Sequence, residues 1–188
     1  MKPTHRNDRP QSASRGIVRS MVRKGSRNDH SSGVVGKGKP PLDPTLCMRC
    51  GAVYHNKTWR HDEARVEFEV SGAPRFAEGT CPACLQVREH EYYGRVLLQG
   101  GRFLSNHEGQ IRGRIENVAS RARFTQPERR IVEIARLPGS LEVRTTSQEL
   151  AHRIAHELVK CFRGHATYDW SDRNGELLAT WTRDDSRN

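Results

Sequence analysis

Two Cys-x-x-Cys pairs are the residues of this chain whose spacing is best suited to chemistry. They are Cys47–Cys50 and Cys81–Cys84, with Gly51 after the first pair and Pro82 inside the second. This spacing lets two thiolates of one short loop reach the same ion, and two such loops complete a tetrahedral four-sulfur site. Four thiolates leave no coordination position for water, which indicates a structural site. We therefore expect one structural Zn²⁺ held by Cys47, Cys50, Cys81 and Cys84.

Other uses of these cysteines fit the sequence less well. A thioredoxin-like redox motif has one such pair at the start of a helix, whereas this chain has two pairs in turn-rich sequence. Structural disulfides need an oxidising compartment, and the N-terminus has no apolar segment typical of a signal peptide. An iron–sulfur cluster stays open as an alternative. His55 and His61 are expected to be surface imidazoles, and Cys161 a small core residue of a helix.

Composition and charge indicate a soluble protein with an anionic partner. The 188 residues include 32 Lys or Arg and 22 Asp or Glu, for a formal net charge of +10, and 34% are apolar. No apolar run approaches the ~20 residues needed to cross a bilayer. We expect a cytoplasmic protein without membrane contact and without a small-molecule substrate. A basic excess of this size favours a nucleic acid as the partner.

The basic excess is concentrated near the N-terminus. Residues 1–44 contain ten Lys or Arg, three Asp and no aromatic residue, and Gly, Ser, Pro and Asn interrupt every stretch. Such a segment cannot bury enough apolar surface to order itself. We expect a disordered basic tail that contacts phosphates and orders on binding, with a solubilising leader as the alternative. The candidate phosphate contacts in the tail are Arg15, Arg19, Arg23, Lys24, Arg27, Lys37 and Lys39.

Hydrophobic patterning predicts two folded units after the tail. Residues 45–101 form the zinc ribbon, in which Arg65–Val70 alternates apolar and charged residues as a strand does, and Gly94–Leu98 is a second short strand. Residues 102–183 form an α-β-β-α-β-β domain, and residues 184–188 a disordered C-terminus. The expected fold class is therefore α+β, with an antiparallel sheet backed by helices in the second unit.

The second unit is predicted element by element. One face of its first helix is apolar, and the strands cover residues 131–134, 141–145, 166–170 and 177–182. Thr146 and Glu149 form a capping box that opens the second helix, and Gly164 ends it. Asp172–Gly175 is the turn of the last hairpin. The apolar positions of the first helix are Ile111, Ile115, Val118, Ala119 and Ala122.

The first cysteine pair stands in the run Cys47-x-x-Cys50-Gly51-Ala52-Val53-Tyr54-His55, which follows Lys37-Gly38-Lys39 and a proline-rich step. This run resembles a bacterial zinc-ribbon family. That family is related to the N-terminal region of the adaptor that escorts large ribosomal subunits out of the eukaryotic nucleus (the nonsense-mediated-decay adaptor family). The ribbon-plus-sheet region of that adaptor is similar to three further segments of this chain: Thr145-Thr146-Ser147, Ala151-x-Arg153-Ile154-Ala155 and Phe162-x-Gly164. The resemblance covers residues 47–183 and implies a zinc-stapled module that touches ribosomal RNA. It does not imply export, because the adaptor has further domains.

These observations lead to a hypothesis about function. We expect a non-enzymatic, RNA-binding zinc protein that associates with the ribosome and its proteins, in assembly, quality control or dormancy. A DNA-binding or transcription-associated zinc ribbon and a protein-interaction adaptor are the alternatives. An enzyme would need a convergent acid, base and nucleophile, and the pair His152 and His156 lacks the His-Glu-x-x-His order. In the folded part, the candidate phosphate contacts are Arg49, Lys57, Arg60, Arg112, Arg114, Arg121, Arg129 and Arg130.

Overall fold

The computed structural model describes residues 40–61, 76–171 and 175–183, which contain two sheets and three helices. The expected α+β class is confirmed. The predicted strand Arg65–Val70, most of the predicted turn Asp172–Gly175, residues 1–39 of the predicted tail and the C-terminal residues 184–188 lie outside the described ranges. No helix within those ranges is both long enough and apolar enough to cross a bilayer.

The first sheet is small and carries Cys47 at the end of its strand β1. Its order is β3-β2-β1-β4, with β1 antiparallel to β2 and parallel to β4. Each strand has only three residues, which are too few to show a hydrophobic period, and none of the four strands was predicted from the sequence. A short helix, α1, follows the sheet. The elements are β1 (Thr45–Cys47), β2 (Val53–His55), β3 (Thr58–Arg60), β4 (Ala77–Gly79) and α1 (Pro82–Glu89).

A tight hairpin joins β2 to β3. Asn56 and Lys57 form its tip, with φ of 50° and 62°, the left-handed pair that matches the twist of two antiparallel strands. The Asp43 carboxylate anchors this tip, because it accepts a hydrogen bond from the Asn56 backbone N–H at 2.9 Å and lies 2.7 Å from Nδ1 of His55. The hydrogen bond with His55 is the main reason that the pKa of Asp43 is lowered.

The second sheet has five strands in the order β6-β7-β5-β9-β8. Two helices cross over it, one between β5 and β6 and the other between β7 and β8. The helices and the last four strands occur where the sequence analysis predicted them, with ends shifted by a few residues. The elements are β5 (Gly94–Gln99), α2 (Gly101–Thr125), β6 (Ile131–Leu137), β7 (Ser140–Thr145), α3 (Gln148–Phe162), β8 (His165–Trp170) and β9 (Leu177–Thr182).

The central strand of this sheet is β5, although the sequence analysis grouped it with the ribbon. Val96 pairs with Val143 of β7 in antiparallel fashion and with Ala179 of β9 in parallel fashion. The sheet is therefore mixed, and the expectation of an antiparallel sheet is wrong. Gly94 allows α3 to approach β5 closely, because a Cβ there would lie 2.6 Å from the backbone oxygen of Ser147.

The core lies between the five-stranded sheet and the helices α2 and α3. Alternate residues of β5, β7 and β9 point into it, and the predicted apolar face of α2 is confirmed as buried. Burial of this apolar surface is the main force that holds the helices on the sheet. The largest fully buried side chains of this unit are Trp181, Leu98, Ile111, Ile115, Leu141, Leu150, Ile154, Leu158 and Leu177.

Two details of α3 differ from the sequence analysis. Ser147, and not Thr146, is the N-cap, since its Oγ accepts a hydrogen bond from the Leu150 N–H at 3.3 Å. Thr146 is instead buried and hydrogen-bonds to the segment before β6. Cys161 is exposed, so its prediction as a core residue is wrong. It lies in the last turn of α3 beside Glu157, at the edge of the apolar stripe.

Candidate metal centre

The four cysteines of the two Cys-x-x-Cys pairs meet at one point. Their Sγ atoms all lie within 4.8 Å of one another. Cys47 ends β1 and Cys50 lies in the turn that follows, while Cys81 is the N-cap of α1 and Cys84 lies in its first turn. The parallel pairing of β1 with β4, in which Cys47 is the register partner of Gly79, brings the two loops together.

Backbone hydrogen bonds shape both loops. The Cys47 N–H donates to the Ala52 carbonyl at 2.8 Å, and the Gly51 N–H donates to the Cys47 carbonyl at 2.9 Å. Gly51 has a φ of 76°, which a side chain would disfavour. Across the loops, the Cys81 N–H donates to Sγ of Cys47 at 3.2 Å. A backbone donor of this kind stabilises a thiolate and leaves the sulfur free to bind a cation.

The second pair does not lie on a turn, as the sequence analysis had it, but at the start of a helix. Cys81 has extended backbone angles (φ −70°, ψ 156°) and Pro82 begins the helix. Proline is favoured at a first helical position, because its missing N–H would be unpaired there in any case. Pro82 was thus a signal for this helix. Thioredoxin-like sites also begin a helix, but here the pair faces two further cysteines.

The cluster is largely closed to solvent, since three of its four cysteines are buried. Cys47 and Cys81 are each 1% exposed and Cys84 is 5% exposed, while Cys50 is half-buried. Trp59 is buried against the cysteines, and Tyr54 packs on Trp59 with ring centroids 5.4 Å apart. These two aromatic side chains therefore pack around the centre. A closed site with four protein ligands suits a structural ion and offers no position for a substrate.

Crowding of the sulfurs shifts their pKa values in opposite directions. The pKa of Cys50 is lowered to about 4, chiefly by a hydrogen bond with the Cys81 thiol, whose sulfur is 3.7 Å away. The pKa of Cys81 is raised by the same hydrogen bond, and burial raises the pKa of Cys84. Metal ligation requires all four sulfurs as thiolates, so binding of an ion would release the remaining protons.

The geometry fits a single metal ion. Sulfur atoms bound to one tetrahedral zinc at ~2.3 Å lie roughly 3.8 Å apart, close to the 3.7 Å between Cys50 and Cys81. A cluster of several iron ions would hold the sulfurs further apart than one ion does. The two histidines near the pairs do not join the cluster. His55 lies beside Asp43, and the ring of His61 lies 5.8 Å from that of Phe124.

The predicted phosphate contacts fall into three groups. The seven tail residues, from Arg15 to Lys39, lie outside the described ranges. Three are close to carboxylates: Arg112 pairs with Glu108 at 2.9 Å, Arg114 pairs with Glu157, and Arg129 follows Glu128. The exposed ones are Arg49, Lys57, Arg60 and Arg121.

Arg130 differs from all of these predicted contacts. Its Nη1 donates to Sγ of Cys84 at 3.2 Å, so its guanidinium is directed at the cysteine cluster and not at solvent. This contact was not predicted from the sequence, because 46 residues separate the two positions and no short-range pattern links them. His152 and His156 are both exposed on α3, and the ring centroids of His152 and Tyr168 are 4.7 Å apart.

Comparison of the chain with protein-family models, with curated proteins and with solved structures finds no match.

Proposed function

We propose that this protein is a zinc-stapled RNA-binding protein without catalytic activity. The closed four-sulfur cluster supports zinc as the metal, because Zn²⁺ is the usual ion in tetrahedral four-cysteine sites. The role of the ion is structural: it links the turn after β1 to the start of α1. The formal net charge of +10 supports an anionic partner, and nucleic acid is the polyanion that such charge most often binds.

One surface carries the RNA proposal, and it combines exposed aromatic and basic side chains. We call it the Phe124 surface and define it by His61, Arg121 and Phe124, together with Arg60 and Arg123, which are next to His61 and Phe124 in the chain. Phe124 is 62% exposed near the end of α2, and the His61 ring from the ribbon lies 5.8 Å from it. Arg121 precedes Phe124 by three residues and so lies on the same helix face.

The arginines of the Phe124 surface are available to a partner. Arg60, Arg121 and Arg123 are all exposed, and none of them has an ion-pair or side-chain hydrogen-bond partner among the described residues. Single-stranded RNA is recognised by stacking its bases on aromatic rings while arginines contact its phosphates. Aromatic residues and arginine are also enriched in protein interfaces. The formal net charge of +10 is therefore the observation that favours RNA here.

The described helices give less support to duplex DNA. Both α2 and α3 pack along the five-stranded sheet, and α1 has only eight residues and caps the cysteine cluster. A recognition helix lies in the major groove with several side chains directed at base edges, and the packing of the described helices does not single one out for that role. DNA stays the comparison ligand in the test of the proposal.

Replacing Phe124 by Ala is expected to weaken binding of single-stranded RNA by roughly 5- to 150-fold, because a stacked base contributes about 1–3 kcal/mol. Binding would be measured by fluorescence anisotropy with a labelled single-stranded RNA. The matched control is Trp170→Ala, since Trp170 is also an exposed aromatic residue but lies on β8. Equal losses in both variants, or tighter binding to duplex DNA than to RNA, would contradict this surface.

The salt dependence separates RNA binding from a protein-adaptor function. If the tail and the Phe124 surface contact phosphates, the affinity should fall steeply between ~50 and 200 mM salt, because counterions are released on binding. Deletion of residues 1–44 should flatten this dependence. A partner held mainly by apolar contacts would bind nearly equally at both salt concentrations.

We further propose that the RNA is ribosomal and that the protein acts in the cytoplasm, which rests on the resemblance to the bacterial zinc-ribbon family. A tagged copy is expected to sediment with a ribosomal subunit or with the whole ribosome in a sucrose gradient of cell lysate at low salt. It should leave the particle at high salt. Sedimentation only near the top of the low-salt gradient would contradict ribosome association while leaving RNA binding to the direct assay.

A further inference from the structure

Arg130 lies just before β6 and reaches from the second unit to the cysteine cluster. Its Nη1 donates to Sγ of Cys84 at 3.2 Å, and its Nε donates to the Pro127 carbonyl at 2.8 Å. The second bond holds the guanidinium plane in place. An arginine held by its own backbone segment loses little further side-chain freedom when it binds the sulfur.

The sulfur cluster is the counter-charge of this guanidinium. Arg130 forms no ion pair with a carboxylate among the described residues. Its Nη2 is buried and has no hydrogen-bond partner there. Burial of an unpaired cation is costly. A compensating negative charge is therefore expected nearby, and the sulfur of Cys84, 3.2 Å from Nη1, is in direct contact with the guanidinium.

A four-cysteine zinc site would in turn need a nearby positive charge. Four thiolates outweigh the two positive charges of a zinc ion, so the complex is anionic. This complex lies among buried residues, with Cys47 and Cys81 each 1% exposed. The anion and the guanidinium thus each lower the cost of burying the other. Hydrogen bonds to the sulfurs also reduce their reactivity toward protons and electrophiles, because they withdraw charge from the thiolate.

The segment that carries Arg130 is fixed in position by the second unit. The Arg130 backbone N–H donates to Oγ1 of Thr146 at 2.8 Å, and that hydroxyl donates to the Glu128 carbonyl at 2.6 Å. From the other side, Nε2 of Gln86 in α1 lies 3.5 Å from the Thr146 carbonyl oxygen. Thr146 and Gln86 are both buried. The guanidinium is therefore presented to Cys84 by a buried polar contact between the two units.

We propose that Arg130 is part of the metal centre, where its guanidinium compensates the charge of the zinc-bound thiolates and retards loss of the ion. This inference rests on the proposed zinc site. It gives Arg130 a positioning and charge-compensating role, because the residue acts through Cys84 and does not bind the metal itself. It also makes retention of the ion depend on the second unit, which supplies the arginine.

The test measures zinc release from the full-length protein. Release into a chromogenic zinc chelator would be followed after addition of a thiol-reactive mercurial, for the natural protein, Arg130→Met, Arg130→Lys and Arg153→Met. Arg153→Met is the matched control, since Arg153 is an exposed arginine on α3. Loss of a residue that supports a metal ligand costs roughly 10- to 100-fold in metal affinity. We expect a comparable acceleration of release for Arg130→Met and none for Arg153→Met.

Arg130→Lys separates charge compensation from packing. Lysine keeps the charge and a donor, so its zinc release should be slower than that of Arg130→Met. If Arg130 only fills space, methionine should retain zinc as well as lysine does, and that result would overturn the inference. Should Arg130→Met fail to fold, Arg130→Gln takes its place in the comparison. An unchanged rate of zinc release in every Arg130 variant would also overturn the inference. If the purified natural protein contained no zinc, the proposed zinc site itself would be overturned.

Discussion

Cys47→Ser is expected to abolish the proposed zinc binding and to unfold the ribbon, while the five-stranded sheet stays folded. Among the described residues, the ribbon's buried core consists of Cys47, Cys81, Cys84, Ala52, Ala83 and Trp59, with Cys50 and Tyr54 packed beside it, and Val53 is buried as well. Apart from the cysteines, this described core has few large apolar side chains to hold the three-residue strands together. We therefore expect the ion to supply much of the stability of the ribbon, since structural zinc sites provide on the order of 10–16 kcal/mol of apparent binding free energy.

The measurement is elemental analysis of protein purified without chelator, together with circular dichroism. The natural protein should contain about one zinc ion per chain and Cys47→Ser roughly none. Cys161→Ser is the matched control, because Cys161 is exposed on α3 and lies outside the cluster. Equal metal contents in the two variants would rule out the proposed site. The helical signal should largely survive in both, since α2 and α3 pack in the other core.

Trp181→Ala is expected to destabilise the second unit by about 3–5 kcal/mol, the usual cost of removing a buried aromatic side chain. Trp181 is fully buried in β9, where it pairs with Leu98 of β5 and Ala166 of β8. Its indole Nε1 donates to the Arg163 carbonyl at 2.9 Å, which satisfies a carbonyl at the end of α3. Alanine would leave a cavity in the core, and the Arg163 carbonyl would lose its hydrogen-bond partner.

Urea denaturation followed by circular dichroism measures this loss in zinc-loaded protein. The control, Trp170→Ala, removes the same side chain from a position that is 51% exposed in the neighbouring strand β8. That change should alter the free energy of unfolding by less than about 1 kcal/mol. If Trp181→Ala unfolded at the same urea concentration as the control, the assignment of Trp181 to the centre of the core would be wrong.

The sequence was most informative where the relevant pattern is local. The Cys-x-x-Cys spacing predicted which four residues meet, because two residues between ligands fix the reach of a short loop. The apolar face of α2 was predictable from its 3.6-residue period, with Ile111 and Ile115 one turn apart. The strands of the final hairpin were predictable from the β-branched and aromatic residues in them and from the turn signal between them.

The features that the sequence did not reveal depend on contacts between distant segments. The pairing of β5 with β7 and β9 is decided by packing, and the six residues of β5 do not by themselves specify their partner strands. The direction of the Arg130 side chain is decided in the same way, because Cys84 is far away in the chain. Cys161 was wrongly predicted to be buried because it lies at the edge of the apolar stripe of α3. A residue at such an edge is buried only if the neighbouring strands extend far enough to cover it.

The central position of β5 determines where this chain can be divided for fragment studies. A fragment that began at residue 102 would contain four strands of the second sheet without the one between β7 and β9. Those two strands would then present unpaired backbone groups and apolar side chains to solvent, which invites aggregation. A recombinant second unit should therefore begin before Gly94. Conversely, a ribbon fragment should end before Gly94, because beyond that point it would carry a strand without partners.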